Sequence, residues 1–473
     1  VQKLARKELP SRLVADDMGL GKTLEGLLID DELRSYRLWE DFPKGEQPPY
    51  KRPTLIIAPL ATHYDAWVKA IRELRTEDTW SEKALDRNIA VIDSKHRDKL
   101  ELRLKQKPLP CYVIVHYEAL RLMPILKEIK WFHIIADEVH RIKSRTSQQT
   151  QAIKKLSCYY KTGLSGTPAD DKPQDIWSIL NWLYPKQYSS YWRFTNTYCE
   201  HQVEQGRGKT FRKIVGIRED RIPQLHREWD AWYIRRKKSE VGIDLPPKYW
   251  TELHVSLSPK QRRIYDQMRK DMIAWLGKNE DIPLTAPVVV SQLVRLQQIA
   301  LATPEFSEDK NGRIHVKLTD PSIKLDRFME LVDGNPNEPL VFFSQSRSMV
   351  DLAIQRLHQR RISAVPYTGQ VSHRDRDKNI EAFQAGDIQV LAATIASGGE
   401  GITLHRASTV VFVDRMWNPS KNTQAEDRLH RIGQLDTVQV IDIMARDTVD
   451  LGRKQRIQGK AKDLIMLLEG KSA

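Results

Sequence analysis

Cysteine is scarce in this chain: three residues, Cys111, Cys158 and Cys199, among 473. Their wide separation excludes a disulfide framework and a cysteine-built zinc site, and fits a reducing compartment. No apolar run reaches the ~18 residues that a membrane span needs. The N-terminus carries no signal-peptide pattern. Low-complexity segments and solenoid-length repeats are also missing, which argues against a repeat array.

What is present suits two to four domains with sizeable cores, since 40% of the 473 residues are hydrophobic. The net charge of +14 fits a polyanionic partner and fits an ordinary Lys/Arg-rich surface equally well. Most of the twelve Trp are expected in cores or lobe interfaces.

Apolar β-rich runs followed by helical patterns appear in two sets. The first comprises Leu13 to Ala15, Thr54 to Ala58, Tyr112 to Val115 and His133 to Ala136. The second comprises Leu340 to Phe343, Ile388 to Ala393, Thr409 to Val413 and Val438 to Met444. Continuous apolar strands alternating with helices predict buried parallel sheets, hence an α/β chain of two lobes. The stretch from about 185 to 320 shows few clean strands and many helical patterns, such as Pro259 to Leu276 and Val288 to Leu301. It is predicted to be helical elaboration, with polar Thr303 to Asp320 as a loop.

Four segments carry chemistry. Asp16-Asp17-Met18-Gly19-Leu20-Gly21-Lys22-Thr23 follows a strand end and opens a helix over Thr23 to Leu33, with Leu24, Leu27 and Leu28 predicted inward. Strand, Gly loop and helix form the context of a phosphate cradle, Asp17 to Thr23. Gly19 and Gly21 let backbone N–H groups approach phosphate oxygens, and the helix N-terminus adds positive charge. Lys22 is placed to reach the β- and γ-phosphates, and Thr23 to hold Mg²⁺. The usual pattern begins with Gly where this chain has Asp16.

The second segment, Ile134 to His140, ends a hydrophobic strand in adjacent carboxylates. Asp137 suits Mg²⁺ coordination, and Glu138 suits orienting and deprotonating a water. A surface acidic turn is the plain alternative. The third, Leu164-Ser165-Gly166-Thr167-Pro168, can sense phosphate state and is otherwise an ordinary turn. The fourth runs from Gln424 to Gln434, with Arg428 and Arg431 three apart and predicted on one helix face. Arginines supplied to a nucleotide stabilise transition-state charge; a basic surface helix is the alternative. Together, the segments predict that one chain carries both halves of an ATPase site.

The order of these segments resembles superfamily-two helicases, and specifically the SWI/SNF family of duplex-DNA translocases. Ala15 to Thr23, Thr54 to Leu60, Val115 to Glu118 and Asp137 to His140 match early motifs in order. Leu164 to Pro168, Trp177 to Leu183, and Ile234 to Lys238 with Leu245 to Lys248 follow. Val341 to Gln345, Tyr367 to Gly369, Thr394 to Leu404, Asp414 to Pro419 and His430 to Gln434 complete the set.

The resemblance implies two RecA-like lobes with helical protrusions. Lobe 1 is expected over 1–250, with a helical insertion at about 185–245. Lobe 2 is expected over 251–473, with a protrusion at about 256–320. It implies ATP and Mg²⁺, with Lys22, Thr23, Asp137 and Glu138 for hydrolysis and Arg428 and Arg431 as arginine fingers. Gln424 and Gly401 are implied at the nucleotide. Double-stranded DNA is implied against Pro59, His116, Tyr117, Ser344, Gln345, Thr368, Gly369, Thr394, Ser397, Gly398 and Trp417.

The family's upstream glutamine has only Gln2 as a candidate, so the chain is expected to lack part of its natural N-terminus. Ser397 to Glu400 and Thr403 depart from the commoner motif. With no reader domain and short inserts, a compact, monomeric, bacterial or phage motor in the DNA-associated cytoplasm is expected, with the nucleus as the alternative. The basic run Arg235 to Lys238 is a nuclear address on that alternative, and a structural or DNA-facing block on the resemblance. The implied function is ATP-dependent translocation that displaces bound proteins or structures without separating strands. A strand-separating helicase and an ATP-gated DNA clamp are the alternatives.

Overall fold

The structure, a computed structural model, describes residues 8–35, 49–77, 80–92, 97–169, 171–206, 209–242, 245–278, 287–308, 314–398 and 402–470. Gln2 and the motif residues Gly399, Glu400 and Gly401 lie outside them. The chain divides into two compact units, one of 1–201, 214–243 and 462–473, the other of 202–213 and 244–461.

Six strands of the first unit come early: β1 (Ser11–Val14), β2 (Thr54–Ile57), β3 (Ile89–Val91), β4 (Tyr112–Val115), β5 (Trp131–Asp137) and β6 (Cys158–Leu164). A separate two-stranded hairpin follows, β7 (Cys199–Gly206) with β8 (Lys209–Ile217), and then β9 (Tyr233–Ile234). The seven-stranded sheet runs β3-β4-β2-β5-β6-β1-β9 and is parallel throughout. β1, β2 and β4 are buried along their whole length. That is what apolar runs do when helices cover both faces of a sheet.

The helix after β1 spans Lys22–Arg34 and buries Gly26, Leu27, Ile29, Asp30 and Leu33. It packs tightly at Gly26, where a Cβ would meet Leu164 at 3.1 Å and Trp67 at 3.3 Å. Leu24, predicted inward, is 47% exposed. It sits two residues, about 200° of helical rotation, from that contact. Leu27 is buried as predicted, and Leu28 is half-buried.

The second unit holds β10 (Lys248–Val255), an antiparallel hairpin of β11 (Thr303–Glu308) and β12 (Ile314–Thr319), β13 (Leu340–Ser344), β14 (Ala364–Tyr367), β15 (Val390–Thr394), β16 (Thr409–Phe412) and β17 (Val438–Ala445). Its six-stranded sheet runs β10-β17-β16-β13-β15-β14, again all parallel. Two predictions differ here. Residues 303–308 and 314–319 pair as a hairpin and not a loop, because Val316 and Leu318 alternate with exposed Lys317 and pack on the core. The stretch at 185–245 contains the β7–β8 hairpin beside its helices, and Ile217 at the end of β8 is buried in the core of the first unit.

The boundary expected at 250/251 lies elsewhere. Lys248 already pairs with Val438 in the second sheet. Leu464 and Met466 to Leu468, at the chain's end, belong to the core of the first unit.

Candidate functional site

In the first unit, Val14, Leu164 and Asp137 share one register row across β1, β6 and β5. The loops after these strands therefore leave the sheet at one level, at its carboxyl edge. Ligands of parallel α/β sheets bind at such edges. Gly19 and Gly21 take φ of 86° and 81°, a left-handed conformation open to glycine without strain. Lys22 Nζ donates to the Asp16 and Asp17 carbonyls at 2.7 and 2.9 Å. Burial pulls its pKa down, against the raising effect of Glu138 and Asp137. The Ser165-Gly166-Thr167 turn lies against the loop: a Cβ on Gly166 would stand 2.9 Å from Met18 and 3.5 Å from Lys22 Nζ.

Asp137 accepts from Trp67 Nε1 at 3.0 Å and from the Glu138 amide at 2.9 Å. Burial, with the adjacent Glu138 charge, pushes its pKa up to about 6. Tyr117 donates its hydroxyl to the Asp137 carbonyl at 2.6 Å. His140 Nδ1 lies 3.2 Å from Glu138 Oε2 and 3.1 Å from Ser165 Oγ. Ser165 Oγ accepts from the Thr167 amide at 3.2 Å. A chain of contacts thus links the second carboxylate to the turn beside the loop.

The donor set fits Mg²⁺. The Thr23 hydroxyl and Asp137 carboxylate are hard oxygens, and a dication relieves the like-charge crowding that raises Asp137. Among the described residues no group of three His, Cys, Asp or Glu converges as a metal cage. A Mg²⁺ site needs none, since that ion usually keeps several waters and binds one or two carboxylates together with substrate phosphates.

Asp16, where the usual pattern has Gly, is fully buried. The Arg236 amide reaches its Oδ1 at 2.9 Å and Arg236 Nε its Oδ2 at 2.8 Å. Arg236 also pairs with Glu25. Arg235 Nη1 donates to Ala15 O at 2.8 Å and Gly166 O at 3.2 Å, and the Lys238 amide to Asp17 at 3.2 Å. Arg235 and Arg236 thus brace the phosphate loop from behind, the structural role that the resemblance allowed. Neither this brace nor the Trp67 hydrogen bond was read from the sequence. The only signal for the brace was an acidic residue out of pattern.

In the second unit, Ser344 and Thr394 share a register row at the carboxyl edge, with Thr368 one residue beyond β14 and Asp414 two beyond β16. Ser344 Oγ and the Gln345 amide both donate to Asp414 Oδ1, at 2.8 and 3.0 Å. Thr394 Oγ1 donates to Ser397 Oγ at 2.8 Å. Gly398 packs where any Cβ would collide with the Phe343 ring.

The residues implied at DNA thus cluster at two sheet edges, but they differ in access. Gly369 is exposed, and His116, Gln345, Ser397 and Trp417 are half-buried. Pro59, Tyr117, Ser344, Thr368, Thr394 and Gly398 are buried. Tyr117 is therefore no surface contact: its ring is enclosed and its hydroxyl is held by Asp137. It supports the loops that carry exposed groups.

Arg428 and Arg431 do not share a helix. The helix Pro419–Glu426 stops before them. Backbone bonding to a neighbouring loop ends it: the Leu404 amide donates to Arg428 O at 2.9 Å. The two guanidiniums still converge, Arg428 Nη1 on Ile402 O at 3.4 Å and Arg431 Nη1 on Thr403 Oγ1 at 3.2 Å. Burial lowers the Arg431 pKa. Gln424 is 2% exposed, and Lys421 Nζ donates to its Oε1 at 3.2 Å.

Residues 2–301 match the SNF2-related domain, and 323–433 the helicase conserved C-terminal domain. The ISWI chromatin-remodeling complex ATPase ISW1 of Saccharomyces cerevisiae is 28% identical over 93% of this chain and 37% of its own length. The putative ATP-dependent helicase/translocase YwqA of Bacillus subtilis is 28% identical over 92% of this chain and 44% of its own. The chain thus spans about two fifths of the length of these curated relatives. The Sulfolobus solfataricus SWI2/SNF2 ATPase core in complex with dsDNA aligns over 97% of this chain and 89% of its own, at 23% identity and a TM-score of 0.39. So loose a structural likeness adds nothing to the sequence match.

Proposed function

That this chain belongs to the SNF2-related family is the premise from which we propose an ATP-driven motor that tracks along duplex DNA without separating its strands. One observation carries the reading: Lys22, Asp137 and the Ser165 turn meet at one sheet edge, with Lys22 held by carbonyls that phosphate oxygens can replace. On binding ATP, Lys22 turns from Asp16 O and Asp17 O to the β- and γ-phosphates. Thr23 and Asp137 would hold Mg²⁺, which neutralises charge on the phosphates. Glu138 orients the attacking water and takes its proton. His140, within reach of both Glu138 and Ser165, ties that carboxylate to the turn that senses the phosphate. Arg428 and Arg431 stabilise charge on the transferring phosphoryl group.

Backbone phosphates are the expected DNA contacts, with little sequence preference. The motor works as a monomer on DNA in a bacterial or phage-infected cytoplasm, with a nuclear setting as the alternative. It displaces proteins or structures bound to its track.

Two assays test this together. ATP turnover is measured with duplex DNA, single-stranded DNA and RNA, and a third strand is placed on a duplex to be displaced with ATP. Stimulation by duplex and ATP-dependent triplex displacement are expected. Stimulation by RNA alone would overturn the reading. Separation of a forked duplex would make the chain a strand-separating helicase. DNA binding without turnover would make it a clamp.

A further inference from the structure

The last helix, Val449–Glu469, ends in the first unit, where Leu464 and Met466 to Leu468 are buried in the core. Side chains of the same unit meet its final carbonyls. Tyr233 donates its hydroxyl to Leu468 O at 2.8 Å, and His226 Nε2 donates to Leu467 O at 2.8 Å. Gly470, at φ 70°, returns its amide to Met466 O at 3.0 Å, a left-handed residue closing a helix end. These contacts fix where Glu469 stands. The negative end of the helix and the Glu469 charge both favour cations there.

Two cations meet it. The Glu469 carboxylate, 11% exposed, pairs with Lys237 through Oε2 and with Arg235 Nη2 through Oε1, the latter at 3.4 Å. Asp17 Oδ1 reaches the same Nη2, also at 3.4 Å. The other arm, Nη1, donates to Ala15 O at the root of the phosphate loop and to Gly166 O in the Ser165 turn. Arg235 Nε is buried and makes no hydrogen bond among the described residues. The guanidinium is therefore held through its two terminal nitrogens. It is planar and rigid, so fixing Nη2 sets the direction of Nη1. One side chain thus spans loop and turn, and Glu469 helps to hold its far arm.

We infer that Glu469 is a positioning residue of the nucleotide site: acting through Arg235, it keeps the phosphate loop and the Ser165 turn at the spacing in which one γ-phosphate meets both. The inference rests on the ATP-driven reading of that site. Without the carboxylate, Arg235 and Lys237 lose their common anion. A cavity of about 280 Å³ beside Arg235, Lys237 and Glu469 gives the guanidinium room to turn from the two carbonyls. Lys22 and the loop amides still grip ATP, so binding is kept. Alignment is lost, and a misplacement of ~1 Å can cost ~10²-fold in rate.

ATP turnover of the full chain is measured at saturating duplex DNA over a range of ATP concentrations. Titration with a fluorescent ATP analogue gives the binding-competent fraction of each preparation. Glu469→Ala should lower kcat per competent site at least about tenfold, while KM for ATP moves less than about threefold. A mere loss of stability would lower the competent fraction and leave kcat per site as it was. Arg235→Lys lacks the planar fork and should slow turnover alike. Glu469→Ala added to Arg235→Lys should cost less than about twofold more, because both act on one pair. If Glu469→Ala does not fold, Glu469→Gln takes its place; it weakens the charged hydrogen bond and should lower kcat at least about threefold. Unchanged kcat per site in the folded Glu469 variant, or additive losses in the double variant, overturns the inference and leaves the ATP-driven reading standing. Absence of turnover in the unaltered chain overturns both.

Discussion

Glu138 sits at φ 49°, in the left-handed region, although it carries a side chain. Such a conformation costs on the order of 1–3 kcal/mol and persists where the surroundings enforce it. Here the Glu138 amide donates to the Asp137 carboxylate, and His140 Nδ1 lies 3.2 Å from the Glu138 side chain. Both contacts aim one carboxylate, which suits a group that must meet a water in one orientation. Glu138→Gln keeps the shape and loses the carboxylate that we propose as the base. Steady-state ATP turnover should fall at least about 100-fold, the usual scale of a general base, while nucleotide affinity measured by fluorescence titration stays within about threefold of the unaltered chain. Unchanged turnover would remove Glu138 from the chemistry. Asp16 allows a second test at this scale. Arg236→Ala leaves its buried carboxylate without its main partner, and should cost roughly 3–5 kcal/mol in urea unfolding. Asp16→Asn in the same chain should recover more than half of that loss, because the two changes act on one pair. Additive losses would show that Arg236 acts through something else.

Between β2 and the helix Lys69–Glu77 the chain takes one π-helical stretch, His63–Val68. Extra residues of this kind inside helices often sit at functional sites. This one has a visible use: it swings Trp67 inward so that Nε1 meets Asp137 from 70 residues away. Trp67→Phe keeps most of the ring and removes the donor. It should destabilise the first unit by about 1–3 kcal/mol through the under-satisfied buried carboxylate, read by chemical denaturation. The same stretch begins with His63, fully buried and 3.1 Å from the Ala58 carbonyl. Burial lowers its pKa to about 4 from 6.5. The unfolded chain therefore binds this proton at a higher pH than the folded one. The stability that neutral His63 contributes is present above pH 6.5 and is lost as pH falls from there toward 4. The full loss is roughly 3 kcal/mol. His63→Gln can keep the donor and lacks the titration, so the difference in urea midpoint between pH 7 and pH 4.5 should shrink in that variant. An unchanged difference would assign the acid sensitivity to other groups.

At the scale of the whole molecule, what was legible in the sequence was what depends on neighbours in the chain. Strand runs such as Thr54 to Ile57 are apolar because both faces are covered. Gly19, Gly21 and Lys22 are adjacent because one turn must cradle one group. Contacts that join distant segments were hidden. Asp16 looked like a defect in a pattern until Arg236, 220 residues away, was seen to hold it. Arg428 and Arg431 looked helical by spacing, and only the backbone bond to Leu404 shows why the helix stops short of them. Several residues implied at DNA turned out to be supports, Tyr117 and Ser344 among them, because spacing along a loop does not say which side chain faces out. This redistribution bears on DNA affinity. If the exposed contacts are few and the affinity comes from many phosphates, the net charge of +14 should act mainly through counterion release. A site that neutralises ~6–10 phosphates loses about 10³–10⁵ in affinity between 50 and 200 mM salt. DNA-stimulated turnover should then show a half-saturating duplex concentration that rises by that order over this range. The rate at saturating duplex should change by less than about threefold, since the buried Lys22–Asp137 region is screened far less than a surface. A half-saturating concentration that hardly moves with salt would mean that bases or apolar contacts, and not phosphates, hold the track.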